Sequence, residues 1–133
     1  MSVDILPLLP ACIVGILIFL VILVNEFPDV AADAAVNKRT LVVCFGVPAC
    51  IWIYRIALIA SYIIAAVILI YPSLFFAGLF YLFTIPIAVV AIRFANKEDL
   101  TTPGRDRANK ITILLHSAAA LALTAGLLTS SLL

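Results

Sequence analysis

The chain has 133 residues, of which 66% are hydrophobic and 11% charged, with a mean hydropathy of +1.31. Soluble domains carry about 25% charged and about 45–50% apolar residues, so this composition excludes an ordinary soluble domain and predicts an all-α integral membrane protein. The formal net charge of +1 offers no basic stripe for nucleic acid and no bias toward a charged partner.

A helix needs about 20 predominantly apolar residues to cross about 30 Å of hydrocarbon, and four stretches qualify, at about 5–25, 49–71, 73–93 and 109–131. Together they predict one transmembrane domain over residues 1–133, set in the lipid bilayer. The first span opens with Pro7 and Pro10, tolerable in a first helical turn where no internal N–H bond is lost. The same run followed by Ala31-Ala32 has the outline of a signal peptide. No Lys or Arg precedes it, however, and its length suits a span.

The second span carries Arg55 near one end, where its aliphatic stem can snorkel to the interface. Tyr71-Pro72-Ser73 is a minimal turn, so the second and third helices form a predicted antiparallel hairpin. Pro86 removes a backbone donor within the third span and predicts a kink. The fourth is rich in small residues, from Ser117-Ala118-Ala119-Ala120 through Gly126 and Thr129, which predicts close helix packing. Cys12, Cys44 and Cys50 form no CxxC pair and read as small buried hydrophobes. His116 is the single histidine, which excludes His-rich metal clusters.

Basic residues mark two loops: Lys38 and Arg39 in the first, and Arg93, Lys97, Arg105, Arg107 and Lys110 in or beside 94–108. The positive-inside rule places both loops in the cytoplasm and both termini outside, as expected for a multi-pass protein of the inner membrane.

Phosphate-binding, dinucleotide, Ser-nucleophile and HExxH signatures are all missing from the sequence. Chemistry therefore points to "VNEFPDVAADAAVNKRTLVV", residues 24–43, at the mouth of the first span. Asp29 and Asp33 are four apart, which on a helix puts both carboxylates on one face about 5–6 Å apart. Hard oxygen ligands at that spacing suit Mg²⁺, commonly held by one or two carboxylates plus waters and phosphate oxygens. Asn25 and Glu26, one turn earlier, offer a further ligand or a supporting hydrogen bond. Lys38 and Arg39 can meet phosphate oxygens, one as a point charge and the other as a planar fork. Read alone, DxxxD is common on surface helices and Lys38-Arg39 is a common topological anchor.

The whole string from Asn25 through Asp29, Asp33, Lys38, Thr40 and Leu41 to Gly46 resembles the second aspartate-rich motif of the UbiA-type intramembrane aromatic prenyltransferases. The nearest likeness is to the menaquinone-pathway dihydroxynaphthoate polyprenyltransferases, with a pattern near N-x-x-x-D-x-x-x-D-x-x-x-G-K-x-T-L-x-x-x-x-G. The resemblance implies the C-terminal part of a larger helical bundle, with Asp29 and Asp33 as catalytic metal–diphosphate carboxylates and Lys38, Arg39 and Asn25 at the diphosphate. It implies Mg²⁺ as cofactor, a polyprenyl diphosphate as donor and an aromatic acceptor such as dihydroxynaphthoate. The reaction would be ionisation of the allylic C–O bond and attack by an electron-rich aromatic carbon. The aromatic rings of the spans, Tyr54, Tyr62, Phe75, Phe76, Phe80, Tyr81 and Phe83, are candidates to stabilise a cation, though packing or an interface belt explains most of them.

Two positions depart from the pattern. Asn37 stands where glycine is usual, and Asn tolerates left-handed angles better than other non-glycine residues; Cys44 stands where a basic residue is common. The family's first aspartate-rich motif is not in these residues, so the chain reads as the C-terminal half of a family member, Met1 as an internal or misplaced start, and the missing N-terminal half as a partner. Alone, the chain is expected to be inactive. The competing readings are a small four-helix transporter subunit, with Arg55 and His116 as its intramembrane polar residues, and a non-catalytic remnant.

Overall fold

The computed structural model describes residues 6–102 and 104–132; the expected start of the first span at residue 5 lies outside them. All regular structure among these residues is helical: α1 (Leu8–Glu26), α2 (Val30–Ala35), α3 (Leu41–Phe45), α4 (Val47–Ile68), a 3₁₀ turn (Pro72–Leu74), α5 (Phe75–Leu82), α6 (Ile85–Phe94), α7 (Lys97–Thr101) and α8 (Arg107–Leu132). Three of them, α1, α4 and α8, are long and apolar enough to cross a membrane. The stretch Pro72–Leu82 and α6, bent by 49° at their junction, make a fourth crossing if taken as one broken span. The protein is an all-α, multi-pass membrane protein.

The spans close into a ring. α1 packs on α4 and α8, while α5 also packs on α4 and α8, so α1 and α5 face each other across the bundle. Close approach is possible because glycines remove side chains where helices cross. A Cβ at Gly126 of α8 would run into the backbone of Ala77 in α5, and one at Gly78 would stand 2.9 Å from the Ala65 carbonyl oxygen of α4. The small-residue content of α8 therefore marks a real crossing, with α5 wedged between two backbones.

Three phenols fasten the ring through hydroxyl chains. Thr112 donates to Ala108 O, Ser61 to Leu58 O and Thr84 to Tyr81 O, at 2.7, 2.7 and 2.6 Å. Each hydroxyl has thus spent its hydrogen on its own helix and can only accept from a tyrosine. Tyr54, Tyr81 and Tyr62 fill those places, each at 2.7 Å, joining α4 to α8, α5 to α4 and α4 to the elbow at Thr84. Interhelical hydrogen bonds in membranes contribute about 0.6 kcal/mol each, so these mainly fix which faces meet.

The elbow lies just ahead of Pro86. The N–H groups of Phe83 and Thr84 turn back to Phe80 O and Tyr81 O, three residues earlier, and α6 restarts with Pro86 in its first turn. A proline there loses no helical bond, so the chain breaks before it and not at it. α6 then leans on α8, leaving a groove of about 230 Å³ against α4 beside Leu58, Tyr62 and Val89.

Arg55, expected to reach the nearer end of its span, extends to the end of the bundle that carries the 94–108 loop. Its Nη2 donates to Ala95 O at 2.7 Å, at the C-terminal end of α6, where a helix presents unsatisfied carbonyls and partial negative charge. The guanidinium also lies 5.6 Å from the Trp52 ring centroid. Of the cysteines only Cys50 is buried; Cys12 and Cys44 are exposed on this chain, against the expectation of burial.

Candidate functional site

α1 ends at Glu26 because Pro28 cannot donate into another turn. The chain turns once, Val30 N–H reaching Phe27 O, and restarts as α2 with Asp29 at its N-cap. Asp33 N–H donates to Asp29 O at 2.8 Å, so the two aspartates stand one helical turn apart on one face, as the spacing predicts. Asp29 is exposed and makes no capping bond with its side chain; Asp33 is buried.

The turn after α2 sets the geometry. Asn37 takes φ +56°, its N–H reaches Ala34 O, and the N–H of Lys38 reaches back to Asp33 O at 2.9 Å. These crossed bonds form a Schellman C-cap, which needs a left-handed residue, usually glycine and sometimes asparagine. The cap folds Lys38 back over α2, placing its Nζ 3.1 and 3.0 Å from the two carboxylate oxygens of Asp33. Asn37 therefore fills the glycine position without opening the turn.

Thr40 begins the next element. Its Oγ1 accepts from Val43 N–H at 3.3 Å and caps α3, while Glu26 Oε2 accepts from Val42 N–H at 3.4 Å. Two of the free N–H groups of α3 are thereby satisfied, and the end of α1 is tied to it. Gly46, at φ +81° and ψ 156°, separates α3 from α4 in a region open essentially to glycine alone. Asn25 turns away from the carboxylates: its amide donates to Val21 O at 2.8 Å, and its carbonyl accepts from Asn109 of α8 at 2.6 Å. Arg39 is exposed and makes no ion pair among the described residues.

The 94–108 loop lies at the same end of the bundle, with α7 against α4 and α8. Asn96 caps α7 by accepting from Asp99 N–H at 3.0 Å, and Arg105 reaches Glu98 at 2.6 Å and Asp99 at 3.8 Å. Lys110 hydrogen-bonds Asp106 at 2.7 Å and holds that carboxyl below its usual range.

The structure thus brings Asp33 and Lys38 together, keeps Asp29 and Arg39 available at the surface, and commits Asn25 and Glu26 to holding helix ends. Sequence reading missed the roles of Thr40 as a cap and of Asn109 as the anchor for Asn25. A Thr directly before an apolar helical turn was a visible signal for the first; nothing local marks the second. The aromatic residues do not gather here: Tyr54 and Tyr81 are buried with their hydroxyls bonded, and Phe83 is 74% exposed at the elbow. Nor does His116 make the interhelical bond common for such residues, since its buried Nδ1 finds no partner among the described residues.

The sequence profile of the UbiA prenyltransferase family matches residues 1–118. The chain belongs to that family. No curated protein and no solved structure matches it significantly. Membership in a prenyltransferase family gives the acidic mouth a chemical context, since prenyl donors carry their charge at one end of an apolar chain. Among the described residues no three His, Cys, Asp or Glu side chains gather to hold a metal. Two carboxylates one turn apart still fit Mg²⁺, which takes one or two protein carboxylates and fills its remaining positions with waters and phosphate oxygens. A groove of about 380 Å³ lies between α1 and α8 beside Pro10, Leu123 and Leu127, away from Asp29 and Asp33.

Proposed function

We propose that residues 25–39 form one half of a Mg²⁺-dependent diphosphate site, in an enzyme that transfers a polyprenyl group from its diphosphate to an aromatic acceptor of quinone biosynthesis. A dihydroxynaphthoate of the menaquinone pathway is the proposed acceptor. The observation that carries this reading is the pairing of Asp33 with Lys38 across the Asn37 turn, beside an exposed Asp29 and Arg39. It puts two metal-type carboxylates and two phosphate-type cations within a few residues at the end of an apolar helix.

Asp29 and Asp33 would hold the ion. When bound, Mg²⁺ supplies charge neutralisation for the diphosphate as the allylic C–O bond breaks. Lys38 would leave Asp33 for a phosphate oxygen, and Arg39 would meet a second one through its planar fork. Asn25 and Glu26 would act as positioning residues, fixing the end of α1 to α8 and α3 so that α2 presents its acidic face. The two charged loops are proposed to be cytoplasmic, where a lipid-borne donor exposes its diphosphate and Mg²⁺ is supplied.

One acidic cluster, with Asp29 and Arg39 exposed, supplies half of such a site, so a second cluster and a covering wall are proposed to come from further helices of the family bundle. The test is reconstitution in membranes with Mg²⁺, a polyprenyl diphosphate and dihydroxynaphthoate. These 133 residues alone are expected to show little or no turnover. Supplied with helices bearing an N-D-x-x-D motif, they should turn over, and Asp33→Ala should lower the rate about a hundredfold or more while still inserting. Undiminished turnover by Asp33→Ala would remove the assigned role, and clear turnover by the chain alone would remove the half-site reading.

A further inference from the structure

On the flank of α8 opposite Asn109, a third, shallow groove of about 250 Å³ runs between the end of α6 and α8, lined by Phe94, Arg107, Lys110, Ile111 and Leu114. Its lining is sorted by depth. Arg107 opens α8, and at about 1.5 Å per residue Lys110, Ile111 and Leu114 follow it roughly 4.5, 6 and 10 Å further along the helix. Arg107 is held at the rim, its guanidinium carbon 5.9 Å from the Phe94 ring centroid.

The charges around the groove are unequally matched. Five basic and three acidic side chains lie between residues 93 and 110. Arg105 engages Glu98 and Asp99, and Lys110 engages Asp106, so all three acids are taken. Arg107 has no carboxylate partner among the described residues, and Lys110 is bonded to an exposed one that it can leave. A cationic rim over an apolar floor, at the end of a spanning helix, is complementary to a molecule with an anionic head and an apolar tail.

We propose that this groove binds one anionic phospholipid, separately from the diphosphate site and independently of that reading. The phosphate sits on the Arg107 fork with Lys110 beside it, and an acyl chain lies along Phe94, Ile111 and Leu114. A zwitterionic lipid brings its own ammonium to the rim, where Arg107 repels it.

The test is native mass spectrometry of the full chain, released from nanodiscs of phosphatidylcholine doped with phosphatidylglycerol, with thermal unfolding to check each variant. The wild type is expected to retain one phosphatidylglycerol in preference to phosphatidylcholine. Arg107→Gln should lower that preference about fivefold, the usual contribution of one basic side chain at an anionic surface. Leu114→Trp, which fills the floor and leaves the charges intact, should lower it as well, and Lys97→Gln, at the same end but outside the groove, should leave it unchanged. An equal loss in Lys97→Gln would show diffuse surface charge and overturn the proposal. So would an unaltered preference in Leu114→Trp, or displacement of the phosphatidylglycerol by equimolar prenyl diphosphate.

Discussion

Lys38→Met is expected to move two affinities in opposite directions. In the structure Lys38 Nζ bonds both carboxylate oxygens of Asp33, so a metal ion approaching Asp33 must displace it. The Lys38 side chain is 61% exposed and that of Asp33 12%, which places the pair among solvent-screened ion pairs worth about 0.2–1 kcal/mol. Removing the competitor should therefore tighten binding of a divalent ion to the substrate-free chain by about 1.5-fold to fivefold. The same change deletes a charged hydrogen-bond donor to the diphosphate, and such bonds contribute about 1.5–3 kcal/mol, so prenyl diphosphate should bind at least about tenfold more weakly.

Both quantities are measurable on the chain in nanodiscs: Mn²⁺ as a paramagnetic stand-in for the ion, followed by loss of its free signal, and prenyl diphosphate by calorimetry in the presence of Mg²⁺. The backbone of Lys38, not its side chain, completes the C-cap of α2, so the variant should keep the fold. A fall in Mn²⁺ affinity on removing Lys38 would refute the reasoning, because Lys38 would then be organising the carboxylates and not competing for one of them.

Four further substitutions test the scaffold by reversible unfolding in detergent micelles. Gly46→Ala forces a side chain into φ +81°, ψ 156° and should cost about 1–3 kcal/mol. Gly126→Ala drives a methyl into the Ala77 backbone and should cost a similar amount, about 1–3 kcal/mol, by overpacking, whereas Gly15→Ala, with nothing within 4 Å, should be neutral or stabilising by up to about 1 kcal/mol. Arg55→Met removes the bond to Ala95 O but also a buried Nε that has no partner among the described residues; these contributions oppose each other, and stability should stay within about 1 kcal/mol of wild type.

The four apolar runs were legible because hydropathy over some twenty residues reports burial in lipid or protein alike, and for the same reason it cannot separate the two. Ile56, Ile59 and Ile63 of α4 are exposed on this chain while Leu58, Ser61 and Ala65 on the other side are buried, although Ser61 is the most polar of the six. Lipid is as apolar as a core, so the packed face is marked by small residues and hydroxyls that bring backbones together, the reverse of the rule for soluble helices. The break at Thr84 was legible from Pro86, but its position was not, since a proline in a first turn is compatible with the helix after it. At the site, the aspartate spacing could be read directly. The pairing of Lys38 with Asp33 could not, because five residues is no helical contact distance and the pair exists only through the left-handed residue between them.

That dependence changes what the fixed positions of the family pattern specify. Asp29 and Asp33 occupy one face of α2, Asn37 supplies the left-handed turn, Thr40 caps α3, and Gly46 makes the corner into α4. Only the aspartates and Lys38 have chemistry to offer a diphosphate; the others hold a conformation that returns a cation to its carboxylate. A turn with φ +56° accepts glycine or asparagine and rejects β-branched residues, so Asn37 preserves the loop where Val or Ile would not. The motif is therefore a backbone shape with charges attached. An unpaired Asp33 beside Asp29 would be two like charges one turn apart at a membrane surface, and Lys38 relieves that repulsion; on the proposed reading a metal ion and a phosphate would take the two partners separately.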